Sequence, residues 1–156
     1  GLTAEQGPVP VMVGGNGDRV LRIAAEHADI VGLVGFTAGT GLIHTDLSHF
    51  TWAGLADRIA HVRRCAGSRF HELELSVLVQ RVRVVDDARV AAAEFAGGSD
   101  IDLDKLLDSP FALFGTESDI ASRLERLRTE HGVSYVITFE HSAEPLATAA
   151  ARMSRQ

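Results

Sequence analysis

PVPVMVGGNGDRVLRIAAEHADIVGL, residues 8–33, decides how the chain is expected to fold. A short apolar run (Val9, Pro10, Val11, Met12, Val13) breaks into Gly14, Gly15, Asn16 and Gly17. An amphipathic segment over residues 17–27 follows, with Val20, Ile23, Ala24 and His27 at i, i+3, i+4 and i+7. A second apolar run, residues 30–33, is entered through Ala28 and Asp29 and predicts a strand over residues 29–34. The order is strand, glycine-rich turn, helix, strand: one βαβ unit. Glycines at the turn are expected to allow positive φ and to leave backbone N–H groups uncovered. The helix N-terminus adds partial positive charge, so the natural guest is a phosphate.

Two common phosphate motifs compete for that turn, and the residues reject both. A Walker A loop ends in Gly-Lys-Ser/Thr, whereas Gly17 is followed by Asp18 and Arg19. A Rossmann fingerprint needs a small residue three positions after its second glycine, where this chain has Val20, and an acid beyond the second strand. Asp29 lies before that strand, at the wrong end. Taken alone, the double glycine is a tight βα turn.

Outward from this unit, strand and helix keep alternating. A loop over residues 35–51 leads to a helix over 52–66, stacking Leu55, Ile59 and Val62, with Arg58, His61 and Arg63 near the other side. Gly67 is its expected C-cap. A third strand begins near Leu73; its alternation holds to Val79 and changes phase across Gln80 and Arg81, as at a bulge or at the strand's exit. A third helix spans residues 86–95, capped by Asp86 or Asp87 and broken by Gly97, Gly98 and Ser99. Residues 101–107 form a short acidic turn or helix. Thr116 and Asp119 make a capping-box start for a helix reaching His131, and Gly132 stops it. A last strand (133–139) and a closing helix (144–153) complete a single α/β domain over residues 1–156.

Composition narrows the partners. At 46% hydrophobic and 23% charged the chain fills one core. No apolar run approaches the roughly 18 residues of a membrane span. The single Cys65 makes no intrachain disulfide, which suits a reducing, cytoplasmic setting. Net charge is −6 with no basic stripe, so nucleic acid is not an expected partner. Lys105 is the one lysine among 15 basic residues, an arginine bias expected of a high-GC, actinobacterial genome.

The whole string from Pro8 to Leu33 resembles the central segment of the luciferase-like flavin and deazaflavin oxidoreductases, a (β/α)8 TIM-barrel family. Phe114-Gly115-Thr116-Glu117-Ser118-Asp119-Ile120 is similar to that family's helix start, with Ser118 for the usual proline, and residues 127–139 to its last helix and strand. The segments stand in the family's order and belong to its C-terminal half. A full barrel takes about 250 residues; this chain has 156 and opens at Gly1. The expectation is four β/α units of eight, as a fragment, a cleaved piece or a split gene product: four parallel strands in sequential order, with outer helices.

The resemblance implies an oxidoreductase passing hydride between coenzyme F-420 and a small organic substrate, or an FMN-dependent monooxygenase. A different class stays open: a non-catalytic flavin-binding or assembly subunit that completes a barrel with a partner. It also implies that Gly14, Gly15, Asn16 and Gly17 contact the cofactor phosphate, while the ring's platform comes from an earlier strand, outside these residues. Arg19 either pairs with the phosphate or lies on the outer helix face. Asp18 has the wrong sign, so it is expected to point outward or to cap the helix. A half barrel with two open edge strands, near Val11 and Ile137, and an uncovered apolar inner face is expected to form a homodimer, bind a complementary half or aggregate.

Other residues are weighed more plainly. His44, Asp46 and His49 crowd one loop, but three candidates without a cysteine make a poor zinc set, and a polar loop over the barrel mouth is the better reading. Glu140 and His141 follow the last strand and read as a solvated loop, although one of them could face the mouth as an acid or base. Gln80 and Arg81 carry the same ambiguity. Trp52 is expected to pack rather than to stack on a ligand ring.

Overall fold

The structure, a computed structural model, describes residues 9–37, 46–97 and 101–153. His44 of the loop, and Gly98 and Ser99, lie outside these residues.

The elements run β1 (Met12–Gly15), α1 (Asp18–His27), β2 (Ile30–Leu33), α2 (Trp52–Ala66), a 3-10 turn (Gly67–Glu72), β3 (Glu74–Val79), β4 (Arg81–Val84), α3 (Ala88–Ala96), α4 (Leu103–Leu107), β5 (Ala112–Gly115), α5 (Glu117–His131), β6 (Val133–Thr138) and α6 (Glu140–Met153). Four strands form one all-parallel sheet in the order β1-β2-β3-β6, sequential within the sheet and free of Rossmann reversal. Among the described residues, nothing pairs with the outer edge of β1 or of β6.

The phase change at Gln80 is more than a bulge. The chain leaves the sheet there and continues as β4, which pairs in parallel with β5 in a separate two-stranded sheet. Gln80 N–H donates to the Phe111 carbonyl at 2.7 Å and steers this departure. Residues 112–115 thus form a strand where the sequence was read only as the approach to a helix. A run of four apolar residues is too short to show its own period. The bulge in the main sheet lies elsewhere, in β6: Leu75 faces Val133 and Ser76 faces Tyr135, so Ser134 is the extra residue.

Register fixes the two faces of the sheet. Val31, Leu33, Leu75, Val77, Val79 and Val133 are buried under the helices and form the core with Leu21, Leu55, Val62, Leu113, Phe114, Ile120 and Leu127. The opposite face carries the aligned row Gly14, Gly32, Ser76 and Tyr135. Where a broad apolar inner face was expected, its middle row is built mostly of small residues.

Helix ends follow their chemistry. Thr51 caps α2 by accepting from Gly54 N–H, and Asp87 caps α3 through two backbone N–H groups. Thr116 and Asp119 form the reciprocal capping box of α5, while Gly97 and Gly132 close α3 and α5 in the left-handed conformation. Two expectations are corrected. The buried stripe of α1 is Leu21, Ala24 and Ala25, continued by Ala28 at its C-cap; Val20 and Ile23 are 38% and 39% exposed. Three alanines let the helix lie close on the sheet, and this outweighs the bulkier but flanking stripe. The last helix begins at Glu140, so Pro145 lies inside it rather than at its first turn, and Glu140 and His141 are helical.

Candidate functional site

Because the four strands of the sheet are parallel, the segments leaving their carboxyl ends collect on one rim. These are Gly15, Asn16 and Gly17 after β1, residues 34–37 after β2, Gln80 and Arg81 after β3, and Phe139 to His141 after β6. This is the rim on which α/β barrels and open sheets build sites.

The glycine turn is held from outside. None of Gly14, Gly15 and Gly17 has positive φ; Gly17, the N-cap of α1, is extended at φ −72°, ψ 146°. The turn needs glycine for space, not for handedness. A Cβ at Gly15 would sit 2.6 Å from Val20 Cγ1, whereas a Cβ at Gly17 would meet nothing within 4 Å. Among the described residues no side chain caps α1, so its first-turn N–H groups lack the partner that Thr or Asp supplies to α2, α3, α4 and α5.

Asn16 does not face outward. It is 4% exposed; its Nδ2 lies 3.2 Å from Thr37 Oγ1, to which it donates, and 3.2 Å from His49 Nδ1, while its buried Oδ1 has no partner among the described residues. The side chain ties the turn to the segments flanking the long loop. Arg19 is exposed on the first turn of α1.

Asp18 neither caps α1 nor stands free. Arg58, from α2, donates to Asp18 Oδ1 at 2.5 Å, to the Asn16 carbonyl at 3.4 Å, and through Nη2 to Asp57 Oδ2 at 2.5 Å. His61 Nε2 lies 3.2 Å from the Asp18 carbonyl. The hydrogen bond from Arg58 holds the Asp18 carboxyl below its ordinary value, and the same donor lowers Asp57. Burial opposes the Arg58 charge, yet its bonds to Asp57 and Asp18 carry its pKa above the ordinary value. The carboxylate of wrong sign is thus paired in place, on a guanidinium that it shares with Asp57. Sequence reasoning put Arg58 near the outer side of α2; 40 residues separate it from Asp18, and no local pattern signals the pairing.

The remaining candidates separate. Asp46 accepts from Ser48 N–H, which lowers its pKa, while His49 turns to Asn16. Among the described residues no group of three His, Cys, Asp or Glu is placed to hold a metal. Trp52 is buried against the protein, stacked on His131 at 5.3 Å with Arg126 over its ring at 4.2 Å. No helix among the described residues is long and apolar enough to cross a membrane. Gln80, Arg81, Phe139 and His141 meet Phe36 and Phe95 around a cleft of about 540 Å³ on the strand-end rim.

Comparison with solved structures decides the architecture. The chain superimposes on an F420-dependent secondary alcohol dehydrogenase in complex with an F420-acetone adduct, with a TM-score of 0.61 and 15% identity, covering 96% of this chain and 48% of that one. Its fold is that of half a (β/α)8 barrel. The half barrel also matches the coenzyme F420 dependent tetrahydromethanopterin reductase from Methanopyrus kandleri (TM-score 0.59, 13% identity, 90% and 48% covered). A third match is the long-chain alkane monooxygenase LadA (TM-score 0.52, 16% identity, 92% and 38% covered). The chain spans less than half the length of each of these three. No family model and no curated protein sequence matches it.

Proposed function

We propose that this half barrel is the phosphate-binding portion of a cytoplasmic flavin- or deazaflavin-dependent oxidoreductase acting on a small organic substrate. The observation that carries the reading is the turn Gly14 to Gly17, which leads into an uncapped helix N-terminus with open space at Gly17 and an Asp18 held by Arg58. A phosphate there would take the first-turn N–H groups of α1, with Arg19 as an added charge at the rim. Asn16 serves by bracing the turn rather than by touching the ligand. The residues present fit the phosphate of FMN or of coenzyme F-420; the bound cofactor would supply the hydride or oxygen chemistry. F-420 is the preferred cofactor, in keeping with two of the three matched enzymes. The chain's share of those barrels supports a second reading, a subunit whose chemistry is completed by a complementary half.

Gly17→Asp tests the cradle, because its two expected effects oppose each other. A carboxylate at the N-cap supplies the missing cap and should raise stability by a few tenths of a kcal/mol. The same carboxylate occupies the phosphate position, and FMN binding should weaken by about tenfold or more. In NMR titrations of the parent chain, FMN should shift the amides of Gly17, Asp18 and Arg19, and riboflavin, which lacks the phosphate, should not. Equal responses to FMN and riboflavin, or unchanged FMN binding in Gly17→Asp, would reduce the turn to a structural feature.

A further inference from the structure

The lining of the cleft on the strand-end rim includes none of Gly14 to Gly17, and it has a specific chemistry. Phe36, Phe95, Phe139 and His141 provide the rings; Phe139 and His141 are stacked at 5.9 Å with 13° between their planes. Phe139 is 46% and Phe95 36% exposed, so aromatic surface is left open to a guest. Gln80 and Arg81 line the same cleft as half-buried residues, and among the described residues Gln80 Nε2 and Arg81 Nε find no hydrogen-bond partner. Buried donors without acceptors are costly, and an arginine can only donate. Among the described residues no carboxylate lines the cleft. The departure of the chain from the main sheet at Gln80 puts these two side chains there, since β4 turns aside to pair with β5. The site therefore lacks an acceptor, preferably an anionic one, on a flat conjugated body.

We infer that the cleft between Phe139–His141 and Gln80–Arg81 binds an aromatic carboxylate, its ring against Phe139 and its oxygens on the Gln80 and Arg81 donors. Rings recognise the body through stacking and burial, and the guanidinium recognises the charge. A volume of about 540 Å³ lies within the ordinary range for small-molecule sites. That such an acid is the substrate, rather than an unrelated ligand, rests on the oxidoreductase reading above. The binding chemistry itself does not.

The probes are 2-naphthoate and its neutral counterpart 2-naphthamide, titrated into the chain by NMR with the Arg81 Nε–H and Gln80 side-chain amide as reporters. Naphthoate should move both signals and bind at least about tenfold more tightly than naphthamide. In Arg81→Gln that ratio should fall to near one, while Phe139→Ala should weaken both probes and keep the ratio. Should Arg81→Gln fail to fold, Gln80→Leu provides the same comparison with a smaller loss of ratio. Equal binding of the two probes, or a ratio that survives Arg81→Gln, would overturn the proposal. So would displacement of naphthoate by lumiflavin at lower concentration with the same signals moved, because the cleft would then belong to a cofactor ring. If FMN leaves the amides of Gly17 to Arg19 unmoved while naphthoate behaves as expected, the phosphate cradle falls and the acid site stands.

Discussion

At the scale of single residues, space and partners matter more than residue type. Gly15 is required because Val20 occupies the room a Cβ would take, so Gly15→Val would strain the fold whether or not a ligand binds there. Gly17, with open space around it, is the position that separates binding from folding. His131 offers an independent check on the packing. Burial, followed by the nearby Arg126 charge, lowers its pKa from the ordinary value of 6.5, with Glu130 opposing. The unfolded chain therefore takes up a proton first as pH falls below about 6.5, so stability decreases through that window and levels off once the folded His131 is also charged. Its ring is stacked on Trp52, the single tryptophan. Trp52 fluorescence should titrate with a midpoint below about 6.5, and the transition should vanish in His131→Gln. A midpoint at or above the ordinary value would contradict the buried placement.

At the scale of elements, the capping box of α5 is the clearest junction between local sequence and fold. Thr116 Oγ1 accepts from Asp119 N–H at 3.2 Å, and Asp119 Oδ2 accepts from Thr116 N–H at 2.9 Å and from its hydroxyl at 2.7 Å. The Thr116 hydroxyl, then its backbone N–H, lower the Asp119 pKa. Thr116→Ala should cost about 1 kcal/mol in urea denaturation. Asp119→Ala should cost a similar amount, and the double variant less than the sum, since both singles break one reciprocal pair. Acid should reproduce the effect. The carboxylate's contribution is complete above the ordinary Asp value and is lost as pH falls through its lower folded value. Additive losses would mean that the two bonds act separately.

For the whole molecule, the unpaired edges of β1 and β6 set the expectation. Val11 is 51% exposed, Met12 38% and Tyr135 49%, all on or beside those edge strands. Edges of this kind invite strand addition, and apolar patches favour association. Sedimentation of the isolated chain should show dimers or larger species. Val11→Lys with Tyr135→Lys should weaken association on the order of tenfold while far-UV circular dichroism stays unchanged. A well-dispersed monomer at high concentration would show that the edges are protected.

Much of this fold is legible in single residues, because the signals concerned are local. Gly67 and Gly132 end helices where only glycine takes the backbone conformation, Thr116 and Asp119 cap each other within one turn, and the β1-α1-β2 unit is spelled by its own periodicity. Longer-range features could not be read in this way. Which stripe of α1 is buried depends on how closely three alanines let it approach the sheet. The splitting of β3 and β4 depends on a strand 31 residues after Arg81 becoming its partner. The Arg58 bond that holds Asp18, and the grouping of Gln80 and Arg81 with four rings, depend on parallel strands bringing their carboxyl ends to one rim. The sequence by itself therefore determined the strand-and-helix order and the glycine turn, since backbone preference and hydrophobic period act within a few residues. The tertiary structure decided which charges meet and where unpaired donors lie, since those energies exist only between segments brought together by folding.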